Sequence, residues 1–496
     1  MPSATTTQRS RRSTTAARPV SKGRKPSAKA VDLDLPKPES ITNYTTALRW
    51  LYAHIDHERL RTVKYDDKTF SLARMKRLLE LLDNPQEGLK CVQVAGTKGK
   101  GSTCAMLASM LGASGYAVGS YSSPHLVDLR ERIAIGGQMI SYADCADAFR
   151  RIAEVEAKFV ATRGISGPPT FFEILTAAAL LYFADQAVDL AVLETGLGGR
   201  LDSTTAVDPL VVGLTAISLD HTHLLGDTVE LIAREKAGVF KPDVPAVSVQ
   251  QDKAVTKVLK ACAEEVGAPL QFTGKDIDFS FRFEANKELG PHSRVCLTTK
   301  TSQFEHLAVP LKGEHQAHNC GLALAMIDKL KAHGFDPPEA QVIQGLAKTE
   351  LPGRMEQVLA RPRVFIDGAH NAASIQALIR SLGAHLSYDS LVLVFGCGAD
   401  KDVQGMLHQV SLGADKVIFT KARQNPRAVE PTDLHRQFTD MTPKMAQVAS
   451  DLPAALRLAS HAVSREDIIV VTGSFYLVGE ARKYLADLQR KRASAS

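Results

Sequence analysis

Paired cysteines are what this chain most plainly lacks. Its seven cysteines lie far apart, with an odd total and no C-x-x-C pair. That spacing excludes a disulfide framework and a zinc cage, and it fits reduced thiols in a cytoplasmic compartment. No apolar run reaches the length that crosses a bilayer, so neither a transmembrane helix nor a membrane partner is expected. No internal repeat is evident. Acid is missing altogether from the first thirty residues, which hold Arg9, Arg11, Arg12, Arg18, Lys22, Arg24, Lys25 and Lys29. These eight cations against a net charge of +6 leave the remainder of the chain close to −2. The stretch is rich in Ser, Thr, Ala and Pro, and it cannot bury enough apolar surface to fold alone. Residues 1–40 are therefore expected to form a disordered basic tail. A targeting peptide or a weak nucleic-acid arm are the alternatives, although a transit peptide needs more large apolar side chains for its amphipathic helix. The basic balance thus gives no specific nucleic-acid partner to the folded body.

What is present is enough chain for two cores, since 496 residues exceed the usual single domain. From about Ser40 to Lys90 the apolar spacing is helical. Ala47, Leu48, Leu51 and Ile55 share one face, and Met75, Leu78, Leu79 and Leu82 another. Between them Tyr65–Phe70 is polar and irregular. Short β-rich runs then alternate with helices: Cys91–Ala95, Ala117–Tyr121, Asp189–Glu194 and Leu210–Ile217 as strands, Phe172–Phe183 as an apolar helix. This alternation predicts a doubly wound, mostly parallel sheet with ligands at the carboxyl ends of its strands. Residues 270–312 lack that regularity and suggest a small antiparallel excursion. A Pro-Gly break at Leu351-Pro352-Gly353 precedes a second series, Arg363–Asp367, Leu391–Phe395, Lys416–Thr420 and Ile468–Thr472. The expected division is a phosphate-loop α/β domain over 41–351 and a smaller Rossmann-like α/β domain over 352–496.

Gly96-Thr97-Lys98-Gly99-Lys100-Gly101-Ser102-Thr103 joins a strand to a helix. In that context backbone N–H groups and a helix N-terminus hold phosphate, with a lysine charge and a hydroxyl nearby. The strict G-x-x-x-x-G-K-[ST] pattern is not met, because Val94 stands where the first glycine belongs and Gly101 precedes Ser102. A variant ATP loop is the reading that the flanking elements favour over a plain glycine turn.

Other groups gather at the same expected edge. Ser122-Ser123-Pro124-His125 follows one strand, and Glu194 closes another that is otherwise apolar. A buried acid there is costly unless it meets a metal, magnesium being the natural candidate, or a cation such as Arg200. Asp220-His221-Thr222-His223 follows a third strand, where two histidines at i, i+2 make a poor zinc motif. Lys236 falls beside the apolar positions Ile232, Val239 and Phe240. Desolvation there would leave a reactive neutral amine, unless the side chain snorkels to water. Asn319, Arg354, Asp367 and His370 are weak signals taken singly.

Taken together these segments resemble the folylpolyglutamate synthase and dihydrofolate synthase family, the folate branch of the Mur ligases. The resemblance rests on Val94–Thr103, Ser122–Ile133, Leu193–Asp202, Leu219–Gly238, Leu351–Met355, Asp367–Asn371 and Val471–Arg482, in family order. It implies a monomeric ligase that uses ATP to form an acyl phosphate on a folate or dihydropteroate carboxylate, which the amine of L-glutamate then attacks. By likeness, Lys100 with the amides of Gly96, Thr97, Lys98, Gly99, Gly101 and Ser102 holds the triphosphate. Ser123 and Glu194 take one magnesium, and His221 serves a second. Lys236 matches a lysine carbamylated by carbon dioxide, and Asn319, Arg354, Asp367 and His370 match positions that contact ATP from the second domain, across a cleft that closes.

The sequence departs from the pattern at two places. Lys98 stands where many members carry asparagine, and Ala372 follows Asn371 where proline is common. Gly-Pro-Pro-Thr-Phe-Phe-Glu at 167–173 matches the family segment near the pterin side. The competing readings are another Mur-type amino-acid ligase and an inactive nucleotide-binding scaffold.

Overall fold

The computed structural model describes residues 36–56, 70–287, 289–309, 311–423, 425 and 427–495. The tail up to residue 35 and most of the Tyr65–Phe70 stretch therefore lie outside the described residues; Pro38–Ser40 form a 3-10 turn. Among the described residues no helix is long and apolar enough to cross a membrane, and all seven cysteines are free thiols.

Eight strands form the larger sheet: β1 (Cys91–Ala95), β2 (Val118–Tyr121), β3 (Ile133–Ile135), β4 (Gln138–Met139), β5 (Leu190–Glu194), β6 (Val211–Leu214), β7 (Ala246–Ser248) and β8 (Leu270–Phe272). Their order is β4-β3-β2-β5-β1-β6-β7-β8. The six from β2 to β8 in that order pair in parallel, and β3 and β4 add an antiparallel edge. Both faces are covered, which is why the central strands read as unbroken apolar runs. Val92, Val94, Val192 and Val211 pack with the helices Lys100–Ala113 and Glu314–Leu330. Tyr121, Ala191 and Leu193 pack on the other side with the helices Tyr44–Tyr52, Tyr142–Val160 and Phe171–Asp185. Each fully buried Leu, Ile or Phe in these layers contributes about 1.5–3 kcal/mol relative to exposure.

The expected strand Leu210–Ile217 is shorter. After β6 the chain turns so that Ala216 O accepts N–H bonds from Thr97 (2.9 Å) and Lys98 (3.2 Å), leaving the ladder to brace the phosphate loop. Ile55 falls beyond the first helix, which ends at Tyr52, and it is exposed. In the 270–312 segment only β9 (Asp278–Asn286), β10 (Gly290–Thr298) and β11 (Gln303–Val309) make the antiparallel sheet. β8 instead joins the parallel sheet beside β7.

A six-stranded sheet follows, from β12 (Glu356–Leu359), β13 (Arg363–Ile366), β14 (Leu391–Phe395), β15 (Lys416–Phe419), β16 (Met445–Val448) and β17 (Ile468–Thr472). Its order is β12-β13-β17-β14-β15-β16, with β12 alone antiparallel. It is an open α/β sheet whose strand order reverses beside β17, the kind of place where ligands gather.

Candidate functional site

Parallel strands put their carboxyl ends on one edge, and the loops after β1, β2, β5 and β6 meet there. Gly96 has φ +144°, and a Cβ on it would stand 1.8 Å from Thr215 Oγ1. Gly99, at φ +95°, precedes the helix Lys100–Ala113 with no side-chain cap, and a Cβ on it would reach 2.2 Å from Asn319 Oδ1. The first N–H groups of that helix lack intrahelical acceptors and offer an anion site. Asn319, expected to reach ATP from the second domain, instead lies against this loop from the helix Glu314–Leu330, which packs on the larger sheet. Lys100 Nζ donates to Gly96 O at 3.2 Å.

Glu194 ends β5 buried, its Oε2 accepting the Ser123 N–H at 3.2 Å. Burial raises its carboxyl above the usual range, opposed by Lys100, the Ser123 N–H, Arg354 and Arg132. Arg200 is not its partner: the guanidinium pairs with Glu235 at 3.1 Å. Among the described residues Glu194 makes no ion pair. Lys236 does not snorkel. It is 5% exposed, with Nζ donating to Gly96 O at 2.7 Å, and burial together with Lys100 lowers its amine to about 7.

Asp220 and His221 follow β6. His221 sits at φ +48°, in the left-handed region that non-glycine residues seldom adopt, and its N–H donates to Asp220 Oδ1 at 2.9 Å. Burial and the charges of Lys401 and Lys236 take the imidazole down to about 4, against the pull of Asp220, so its ring is neutral at pH 7. Burial alone would raise Asp220, but His221, His370 and Lys401 hold it at about 2.

The second sheet supplies the facing wall. Asp367 follows β13 and accepts N–H bonds from Met355 and Ala369, both at 2.9 Å. Met355 is another positive-φ residue, at +44°. Arg354 lies with its guanidinium carbon 4.8 Å from the Phe475 ring centre. His370 donates its Nδ1 proton to Gly368 O at 2.9 Å, which leaves Nε2 as an acceptor in the neutral ring. Burial and Lys401 take that ring down to about 4.

These groups line one cavity of about 1090 Å³, room for more than one substrate. Thr97, Lys98, Gly99, Lys100, Gly101, Ser102, Ser123, Glu194, His221, Asn319, Arg354, Asp367 and His370 all border it. Gly96 and Lys236 are the two site residues that do not; they are joined by the Lys236 Nζ bond to Gly96 O. At the far end Thr170, Phe171, Phe172 and Glu173 line the same space. There Arg74 binds both oxygens of Glu173 at 3.1 Å. Sequence reasoning passed over Lys401, which also borders the cavity. Its signal was present, a Gly-Ala-Asp-Lys turn after the buried strand β14.

Among the described residues no three His, Cys, Asp or Glu side chains form a ready metal cage. Magnesium does not need one, since it keeps several waters and takes one or two carboxylates plus substrate phosphates. A buried carboxylate without an ion pair, facing a phosphate loop, with Ser123 beside it, fits that donor set.

Residues 145–327 match the Mur ligase middle domain, and residues 353–475 match the Mur ligase glutamate ligase domain. The chain is 33% identical over 448 residues to dihydrofolate synthase/folylpolyglutamate synthase of Bacillus subtilis, covering 90% of this chain and 100% of the relative. It superposes on Mycobacterium tuberculosis folylpolyglutamate synthase complexed with ADP and AMPPCP at a TM-score of 0.77, with 33% identity over 84% of this chain and 95% of that one. It also superposes on E. coli FolC in complex with DHPP and ADP, at 0.77 with 30% identity, covering 92% of this chain and 100% of that one.

Proposed function

The chain belongs to the folylpolyglutamate synthase and dihydrofolate synthase family of Mur ligases, and from that membership we propose how its site residues divide the work. It is an ATP-dependent ligase that adds glutamate to folates or dihydropteroate. The observation that carries the site reading is the uncapped helix N-terminus at Gly99, which Lys100 follows, with the buried Glu194, in no ion pair among the described residues, only 3.4 Å from where a Cβ on Gly101 would stand.

Phosphoryl transfer asks for positioning and charge neutralisation more than covalent help. The amides of Gly96–Ser102 and the Lys100 ammonium cradle the triphosphate. Glu194 and Ser123 would hold one magnesium and His221 a second, its neutral ring leaving a lone pair for the purpose. Magnesium, when bound there, offsets charge on the phosphoryl oxygens. Lys236 would take up carbon dioxide: its neutral amine forms the N–C bond and releases a proton, giving an anion that could support the metals. From the second sheet Asn371 caps its helix, while Arg354, Asp367 and His370, with Asn319 from the first, bind ATP. The division into lobes falls near residue 352, so ATP lies between them and closure completes the site. The working form is a cytoplasmic monomer.

The test is ADP release from ATP and L-glutamate with magnesium, supplying dihydropteroate and tetrahydrofolate separately. Stimulation by both makes the enzyme bifunctional, and stimulation by one names its activity. Folded protein stimulated by neither overturns the reading.

A further inference from the structure

Leu126 follows Ser122-Ser123-Pro124-His125 in the loop after β2, and its aliphatic side chain brings no reactive group there. An apolar residue on a loop at a ligand edge gains by burial, and the surface that buries this one belongs to the second lobe. Leu126 is half-buried on the outer layer of the second sheet, the cluster that contains Ile366, Val471, Leu477 and Val478. Two glycines make the seat. A Cβ on Gly353 would stand 2.8 Å from Leu126 Cδ1, and one on Gly479 would stand 1.9 Å from Leu126 O. The side chain thus lies over one bare backbone and its own carbonyl over another. Gly353 sits at φ +67°, its N–H donating to Glu356 Oε2 at 2.7 Å and its O accepting the Gly368 N–H at 2.8 Å. Gly479 lies within the helix Phe475–Ala495, where alanine would be the better helix former. The approach of the Leu126 carbonyl is what a side chain there would obstruct.

The other fastenings of this loop belong to the first lobe. The Glu131 carboxylate accepts the N–H groups of Leu126 (2.7 Å), Val127 (3.1 Å) and Asp128 (3.0 Å). Ser122 N–H donates to Arg132 O at 3.0 Å, and Ser123 N–H to Glu194 Oε2 at 3.2 Å. One short stretch is therefore tied at its start to the buried acid that ends β5. At its end it is tied to the link at Gly353 and to the last helix of the chain. Unseating Leu126 would release the second tie and leave Ser123 held by the first alone.

We propose that Leu126 is a positioning residue: seated on Gly353 and Gly479, it fixes the Ser122–Pro124 stretch beside Glu194 when the two lobes are together. Closure of the lobes is thereby coupled to the order of the loop that carries Ser123. Leu126 acts through that loop and touches no reacting atom. A misplacement of about 1 Å at a reacting centre costs up to about a hundredfold in rate, so an aliphatic contact at this distance from the chemistry still governs turnover. The assignment rests on the ligase reading.

Leu126→Ala empties the seat and Gly479→Ala fills it, so the two variants test one contact from both lobes. Each is expected to lower kcat by about ten- to a hundredfold, with AMPPCP binding and KM for ATP within about threefold of wild type. Backbone hydrogen exchange over residues 122–128 should quicken by at least about tenfold in both, while β1 and β5 exchange as in wild type. Leu126→Met, close to leucine in volume, should recover most of the rate. The thermal midpoint separates this role from packing. Leu126→Ala should lower it, whereas Gly479→Ala, which gains helix propensity, should keep it within about three degrees and still turn over slowly. A lowered midpoint in Leu126→Ala beside wild-type kcat and wild-type exchange over 122–128 makes the contact plain packing and overturns the proposal. Wild-type kcat and exchange in Gly479→Ala overturn it equally. If Leu126→Ala does not fold, Gly479→Ala decides on the same two readouts. Wild-type enzyme that ligates neither dihydropteroate nor tetrahydrofolate overturns the ligase reading, whereas unchanged turnover and exchange in variants of an active enzyme overturn the Leu126 assignment alone.

Discussion

At Gly99 two demands meet on one backbone position. The residue holds φ +95°, and the space its Cβ would fill is occupied by the Asn319 amide 2.2 Å away. Alanine there must pay for both a left-handed backbone and a displaced neighbour, about 1–3 kcal/mol for the backbone alone. Gly99→Ala is expected to raise KM for ATP by at least about tenfold and to lower the thermal midpoint by several degrees, read by steady-state kinetics and calorimetry. Lys236 makes a different demand, since its value lies in being uncharged. Burial under Gly96 O and the neighbouring Lys100 hold the amine at about 7. With ¹³C-labelled carbon dioxide, wild-type enzyme should show one carbamate resonance, and Lys236→Ala should lose both the resonance and most of kcat. A resonance that survives the substitution places the carbamate elsewhere.

At the scale of elements, Asp328 shows how a helix is pinned to a hairpin. Its Oδ1 accepts hydroxyl bonds from Thr299 (2.6 Å), Thr301 (2.7 Å) and Ser302 (2.7 Å), tying the β10–β11 turn to the helix Glu314–Leu330 that carries Asn319. Burial would raise this carboxyl, but the three hydroxyls and Lys329 hold it below its ordinary value. Asp328→Asn is expected to cost about 1–3 kcal/mol by chemical denaturation. Because the folded group is the stronger acid, its contribution is complete above the unfolded carboxylate value and fades as pH falls through the lowered folded one. The difference between wild type and variant should thus be constant from about pH 5 to 8 and shrink below about pH 4. This contact was invisible in the sequence because it joins segments through space, and Asn319 was tied to ATP only through the family likeness, not by its local motif. The central strands were legible because burial on both faces leaves an apolar run and then a glycine turn. β12 and β16 were not, since edge strands such as Glu356–Leu359 and Met445–Val448 keep exposed, mixed side chains. Glu194 was legible as a buried acid, whereas the real partner of Arg200, Glu235, lies on a helix the local motif does not reach.

For the whole molecule the question is what joins the second sheet's layer to the first part of the chain. His385 ends the helix Ala372–His385, which flanks the second sheet, yet both its hydrogen bonds go to the earlier segment. Its Nε2 accepts the Gly313 N–H at 2.9 Å, and its Nδ1 donates to Pro291 O at 2.9 Å. The pair of bonds fixes one neutral tautomer. Burial lowers the ring below its ordinary value, the Pro291 carbonyl opposing this and Lys312 and His292 adding to it. The Phe283 ring, with its centroid 5.2 Å away, completes the surroundings. A protonated ring cannot accept from Gly313, the residue that opens the helix carrying Asn319. Since folding lowers the histidine's value, the bond's contribution is complete above the unfolded value of about 6.5 and is lost as pH falls through the folded one. His385→Ala should therefore destabilise the protein by about 1–3 kcal/mol at pH 7.5, and the gap to wild type should narrow on acidification toward pH 5. Trypsin cleavage after Lys348 or Arg354 should be faster in the variant at pH 7.5, if the contact restrains the two layers about that link. A gap that is flat across this range would mean that His385 serves only as packing and that the lobes are held by other contacts.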